Sequence, residues 1–343
     1  MFKHAMMMSG GSSRFGYYLG IYAAFIDADR KPDAIFASCG GSIAAGIISA
    51  FDSIDEQKEA LMSQEIYHMT RRVSTSTKHS LLSISLEACQ RYFNQSPTLT
   101  FPDLSALALF EIENDHLPFF PFTPSYSANE LEIVVIGSKL CFSPHQIGEK
   151  RADAPLFEEV IFSSDKTASA FSNKRFSPKT SLVSENITAT SSVSLQDSIR
   201  ISMSDIYYFS PYQVKQEYYM GGMLDLVPFE LASSCSDVIS LENKQPFSAL
   251  TAVPAFNRLL GFDPNDSLRK IKLRAQDISI DTADSPTALK HHEIRKNIQW
   301  LSNRITLEVP TFDEHRKMMR AQWDYGYLKG QQALNNISKG KTS

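Results

Sequence analysis

Short apolar runs alternate with glycine turns along the first fifty residues. Ala5 to Met8 is an unbroken apolar run that stops at Ser9-Gly10-Gly11. A run this short, closed by turn residues, predicts a buried strand. Tyr17 to Phe25 is apolar throughout apart from Gly20 and predicts a helix. Pro32-Asp33 marks a turn, Ala34 to Ser38 predicts a second buried strand, and Gly40-Gly41 opens into an apolar helix from Ser42 to Ile48. Strand, loop, helix, strand, tight turn, helix is the opening of a parallel α/β sheet.

Beyond that point the pattern is looser. Residues 54–95 read as mixed helices, and 100–128 as irregular chain with Pro118, Pro121 and Pro124 set among Phe119, Phe120 and Phe122. Leu131 to Ile136 predicts a strand, Phe157 to Phe162 a strand or short helix, and the Ser/Thr-rich stretch 163–194 long surface loops. Gln196 to Ser204 predicts a helix and Asp237 to Leu241 a strand. The tail from Ala288 to Asn336 reads as mainly helical, broken near Pro310. No repeat and no linker divides the chain. Residues 1–336 are therefore read as one α/β domain, helical from about 284, with a disordered tail at 337–343.

Composition acts by exclusion. Of the 343 residues, 43% are hydrophobic and 21% charged, which excludes collagen, coiled coil and wholesale disorder. Lys plus Arg is 34 and Asp plus Glu 38, a net charge of -4, against the basic surface a nucleic-acid partner requires. Cys39, Cys89, Cys141 and Cys235 stand far apart, with no C-x-x-C pair. They read as buried thiols of a reducing compartment and suggest no metal site. The N-terminal apolar run is too short for a signal peptide, and no window has the roughly 20 apolar residues of a membrane span. A cytoplasmic protein without cofactor is expected, its oligomeric state open.

Two glycine turns carry candidate chemistry. Gly40-Gly41-Ser42-Ile43-Ala44 reads as a G-x-S-x-G nucleophile elbow with Ala44 in place of the last glycine. A serine on a sharp strand-to-helix turn needs small neighbours, and the helix that follows aims free N–H groups at a reacting carbonyl. Ser9-Gly10-Gly11-Ser12-Ser13-Arg14 is a glycine-rich loop between strand and helix, able to offer backbone N–H groups to an anion. It lacks the G-K-[ST] ending of a P-loop and the spacing of a dinucleotide fingerprint. Cys39, beside the second turn, reads as a small buried hydrophobe.

The two turns together resemble the patatin-like phospholipase family. Gly10, Gly11, Arg14, Leu19 and Gly20 match its G-G-G-x-R-G oxyanion loop and following helix, and Gly40 and Ser42 match its elbow. Ser202-Met203-Ser204 and Phe209-Ser210-Pro211 resemble its small-residue helix and the loop before the catalytic aspartate, and Tyr219 to Pro228 resembles its D-G-G segment; Asp237 to Leu241 resembles the next strand and Ala321 to Ala333 the terminal helix. The resemblance implies a three-layer fold with a central, mostly parallel sheet flanked by helices. It also implies hydrolysis of a lipid or related acyl ester by Ser42, with peripheral contact to a membrane. Gly10, Gly11, Ser12 and Ile43 would hold the oxyanion, with Arg14 and Gly41 in the supporting turns.

The resemblance breaks at the base. The family's aspartate stands before two glycines, and this chain has Met220-Gly221-Gly222 there. A thioether accepts no proton. Asp225 or Glu217 could supply the base from nearby. A histidine such as His145, His291 or His292 could complete a triad of the α/β-hydrolase kind. In the third alternative the chain is an impaired homologue that binds acyl ligands or regulates a partner. Phe119-Phe120-Pro121-Phe122 reads as a satellite core rather than an acyl-pocket wall, and Arg269, Lys270, Lys272 and Arg274 as a solvated face.

Overall fold

A computed structural model describes residues 1–76, 100–151, 154–172, 187–222, 224–243, 246–247, 263–299 and 304–340. The N-terminal half contains β1 (Phe2–Ser9), α1 (Gly16–Asp27), β2 (Ala34–Ser38), α2 (Gly40–Ala50), α3 (Ile54–Leu61), α4 (Gln64–Arg71), β3 (Val73–Thr75), β4 (Phe110–Ile112), β5 (Ser127–Ala128) and β6 (Leu131–Leu140). Then follow β7 (Phe157–Phe162), α5 (Asp165–Ser172), β8 (Thr188–Thr190), α6 (Leu195–Ser202), β9 (Tyr212–Val214), β10 (Glu217–Met220), α7 (Phe229–Cys235) and β11 (Ser236–Asn243). The chain closes with α8 (Asn265–Lys270), β12 (Ile278–Asp281), α9 (Ser285–Ala288), β13 (Arg295–Gln299), β14 (Arg304–Glu308) and α10 (Phe312–Gly340).

The main sheet runs β12-β11-β1-β2-β6-β10-β9. The first five strands are mutually parallel, and β10 runs antiparallel to β6 and to β9. Successive strand residues face opposite sides, so the sheet feeds two cores. Met6, Met8, Ile35, Ala37, Ile133 and Val135 pack under α1, α2 and α10. Met7, Ala34, Phe36, Val134 and Ile136 pack on the other face, against Leu231 and Ala232 of α7 and Phe171 of α5. This is the expected helix–sheet–helix layering. The uninterrupted apolar runs of β1 and β2 follow from burial on both faces.

The long β6 sets up the site. Ala37 of β2 pairs with Val135, and Met220 of β10 pairs with Ser138 of the same strand. The chain leaving β10 therefore passes close to the C-terminal end of β2, where the chain turns into α2.

Several expectations are corrected. The Ser/Thr-rich stretch holds α5 and β8 before and after residues 173–186, which lie outside the described residues. Residues 100–128 contain β4 and β5 within otherwise irregular chain. The tail is not helical from 284. A β13–β14 hairpin pairing Arg295 with Glu308 comes first, and α10 runs to Gly340, past the expected start of a disordered tail. The hairpin reads as β in retrospect from Ile305 and Leu307, whose side chains pack on the core. Arg269 and Lys270 end α8 and are exposed, as expected of a solvated face. No described helix is long and apolar enough to cross a membrane.

Candidate active site

β2 ends at Ser38, and the next residue makes the sharp turn. Cys39 has φ 51° and ψ -127°, a left-handed backbone that an L residue adopts only under strain, and α2 starts at Gly40. The turn is pinned on both sides. Ser202 Oγ accepts the Cys39 N–H at 2.9 Å and donates to Ile136 O at 3.1 Å, while Ser38 Oγ donates to Leu226 O at 2.6 Å. A Cβ on Gly41 would stand 1.8 Å from Met8 O, so only glycine lets α2 approach β1 this closely. The elbow is thus Ala37-Ser38-Cys39-Gly40-Gly41, three residues before the expected register.

Ser42 lies inside the first turn of α2. It is fully buried, and its Oγ donates to Cys39 O at 2.6 Å. Its hydroxyl is spent on the helix N-terminus and does not face the cavity. Ile43 lines the cavity from the same turn.

The cavity, about 310 Å³, opens in front of the elbow. Gly10, Gly11, Ser12, Cys39 and Gly40 form one wall; Met69, Phe110, Phe119, Phe209, Leu226 and Leu307 make the rest largely apolar. Such a pocket suits an apolar ligand with one polar end. Gly10, Gly11 and Ser12 all have positive φ, which turns the loop sharply towards the elbow. The Gly10 N–H is committed to Ser38 O at 2.9 Å, which removes it from the expected oxyanion donors. Among the described residues no acceptor takes the N–H groups of Gly11, Ser12 or Gly40. These three donors at the cavity wall can meet a developing oxyanion.

The loop is held from behind. Gln322 of α10, fully buried, accepts from the Gly16 N–H at 2.9 Å and donates to Ser13 O and His292 O. Arg14 pairs with Glu293 at 3.5 Å, so its guanidinium fixes the loop through a carboxylate. Tyr18 donates to Ser9 O at 2.5 Å and bonds Glu242, whose other oxygen takes Tyr17 at 2.7 Å and Thr282 at 3.1 Å. Burial and the Glu242 charge push both tyrosine hydroxyls well above their usual range, so they stay donors.

The proposed bases are dispersed. Met220 is fully buried in an apolar cluster with Phe101, Phe142 and Ile206. Glu217 is exposed and paired with Lys139 at 3.0 Å. His145 and His291 are exposed, the latter bonded to Arg295, and among the described residues no histidine lines the cavity. Asp225 is buried and does not line the cavity. Burial and neighbouring Glu230 push its carboxyl far up, and Glu159 is pushed up by burial and by Asp225 itself. Gly221 and Gly222 remain beside the site: Gly221 N–H donates to Ser204 O at 3.0 Å.

A carboxylate does line the cavity, and it is Asp205, in the turn after α6. It takes a hydrogen bond from the Cys39 side chain; burial nevertheless pushes its carboxyl up to about 6. Its Oδ1 is shut off from solvent with no hydrogen-bond partner. From the sequence Cys39 reads as a small buried hydrophobe, and Asp205 is not singled out. For Cys39 a signal existed, since the residue directly after the apolar strand run must occupy the elbow. For Asp205 no motif pointed to it.

The Patatin-like phospholipase family profile matches residues 6–233. It spans β1 with the glycine loop, the elbow and the chain leaving β10. The chain belongs to the patatin-like phospholipase family. Membership supports lipid hydrolysis as the family-level activity. Among solved structures, VipD from Legionella pneumophila is 12% identical with a TM-score of 0.38; the alignment covers 97% of this chain and 67% of that one. The type III effector protein ExoU is 10% identical with a TM-score of 0.34, covering 96% of this chain and 53% of that one. Among curated proteins nothing matches. The phenylalanine cluster of this patatin-like chain divides. Phe119 lines the cavity, while Phe120 is core packed beside Gly46 of α2. The thiols divide too: Cys235 is buried, Cys39 half-buried and Cys141 exposed, whereas Cys89 lies outside the described residues. Among the described residues no group of His, Cys, Asp and Glu could hold a metal ion.

Proposed function

We propose that the protein hydrolyses a lipid or related acyl ester with Cys39, not Ser42, as the attacking group. The observation that carries this reading is the elbow: Cys39, and not Ser42, has the strained backbone at the turn from β2 into α2, and it lines the apolar cavity. The thiol sulfur attacks the ester carbonyl carbon, and the oxygen becomes an oxyanion between the Gly11, Ser12 and Gly40 N–H groups. Collapse expels the alcohol and leaves a thioester on Cys39, which water then hydrolyses. The acyl chain lies along Phe119, Phe209 and Leu307. A substrate of this kind is met at a membrane surface, so peripheral contact belongs to the same proposal.

The rival reading, an impaired homologue that binds acyl ligands, is favoured by Met220 alone. The test uses phosphatidylcholine vesicles and p-nitrophenyl butyrate with three proteins: wild type, Cys39→Ala and Ser42→Ala. Wild type releases acid and forms an acyl adduct visible by intact mass. Cys39→Ala loses both, and Ser42→Ala keeps activity within about tenfold, because it loses one hydrogen bond worth about 1 kcal/mol. Hydrolysis that survives in Cys39→Ala refutes the assignment. Absence of turnover in folded wild type supports the rival.

A further inference from the structure

We infer that Asp205 is the catalytic base for Cys39, so that an aspartate carried on the turn after α6 replaces the one missing at position 220. The inference rests on Cys39 being the nucleophile. Four observations support it. Asp205 lines the same cavity as Cys39 and the oxyanion loop. Its carboxylate accepts the hydrogen bond of the Cys39 side chain. Its second oxygen, Oδ1, is buried and unpartnered, free to take a proton or orient a water. A Cβ on Gly221 would stand 2.6 Å from that oxygen. The carboxylate therefore reaches the elbow from directly beside the segment that follows position 220, while the Met220 side chain packs away into apolar neighbours.

The turn that carries Asp205 is rigid. Its N–H donates to Met203 O at 2.8 Å, and its carbonyl takes the N–H groups of Tyr208 and Phe209 at 2.9 and 3.2 Å. Ser204, one residue before, is bonded by Arg200 Nη1 at 2.6 Å; Arg200 itself is forked on Asp115 by two bonds of 2.7 Å. A catalytic base needs this kind of fixed approach to the proton it takes.

In the acylation step the Cys39 S–H proton passes to Asp205, and the sulfur electron pair forms the C–S bond. The carbonyl π pair moves to oxygen, then returns as the ester C–O bond breaks, and the departing alkoxide takes the proton back from Asp205. In deacylation water gives its proton to Asp205 and its oxygen bonds to the acyl carbon. The C–S bond then breaks and the proton returns to sulfur. No oxidant or metal is required. A carboxyl near 6 is largely ionised at neutral pH and is a stronger base than an ordinary aspartate. Among the described residues the other titratable side chains lining the cavity are Tyr208 and Lys296, whose Nζ bonds the Tyr208 hydroxyl at 2.9 Å.

The experiment follows single-turnover acylation by p-nitrophenyl butyrate from pH 4.5 to 9, by intact mass. It compares the full chain as wild type, Asp205→Asn, Asp205→Glu and Cys39→Ala. Wild type gains rate through an inflection near pH 6. Asp205→Asn slows acylation by about 10²–10⁴-fold and loses that inflection, and Asp205→Glu restores part of both. Thermal melts separate catalysis from structure. A carboxyl whose folded value is raised favours folding while protonated and opposes it once ionised, so Asp205→Asn melts higher than wild type at pH 8 and level with it below pH 4. If Cys39→Ala abolishes acylation while Asp205→Asn keeps the wild-type rate and profile, Asp205 is refuted and the nucleophile stands. If Asp205→Asn melts lower than wild type at pH 8, the residue is structural and the inference falls. Acylation that persists in Cys39→Ala overturns both readings.

Discussion

Gly221→Ala tests how tightly the elbow, the Asp205 turn and the glycine pair after β10 are fitted. The added methyl would stand 2.6 Å from Asp205 Oδ1 and 2.7 Å from Ser202 O. Both are too close for a carbon–oxygen contact, by several tenths of an ångström. Ser202 cannot yield easily, because its Oγ holds the Cys39 N–H and its helix is packed on the sheet. The carboxylate must therefore swing. Overpacking of this kind costs about 1–3 kcal/mol, and the stiffer unfolded chain returns about 0.4–1 kcal/mol. The net loss is about 1–2 kcal/mol, a few degrees in Tm. The kinetic loss is larger, since a displacement near 1 Å can cost about 100-fold. Gly222→Ala is the internal comparison, because its methyl meets nothing closer than 3.1 Å. Melting curves and the acylation rate are measured on both variants. A Gly221→Ala protein that acylates at the wild-type rate and melts no lower than Gly222→Ala would refute a carboxylate held in place by the bare glycine.

Two further variants probe buried titratable groups. His315 is fully buried beside the Tyr67 ring, and burial holds its imidazole down to about 4. The unfolded chain takes up the proton first, so its contribution to stability is complete above about pH 6.5 and is lost as pH falls towards 4, by about 3 kcal/mol in all. The difference in stability between wild type and His315→Leu should therefore shift by that amount across this window; a difference independent of pH would sink the argument. Asp115→Ala leaves the buried Arg200 guanidinium without its forked partner, at a cost of about 3 kcal/mol, read as a lower denaturation midpoint. Asp115→Ala should also slow acylation, since Arg200 steadies Ser204 next to Asp205.

Local pattern already contained the layered α/β fold, because strands buried on both faces must be written as continuous apolar runs, as Ala34 to Ser38 is. It contained the glycine loop and the approximate elbow for a similar reason: close backbone approach permits no side chain, and the glycines remain visible as letters. It missed the β13–β14 hairpin, because Arg304 to Glu308 alternates over only five residues and Arg295 to Gln299 contains a single apolar residue. It also set the elbow three residues late, since Gly40-Gly41-Ser42 fits the motif better by letter while the end of β2 selects Cys39. The missing aspartate was legible at once at Met220; its replacement was not. Asp205 lies 166 positions from Cys39 along the chain, and only the turn after α6 folding against the end of β2 brings them together. The sequence determined which backbone shapes were affordable at each position. Which carboxylate faces the thiol was decided by tertiary packing, since a hydrogen bond between side chains from different elements leaves no periodicity in either.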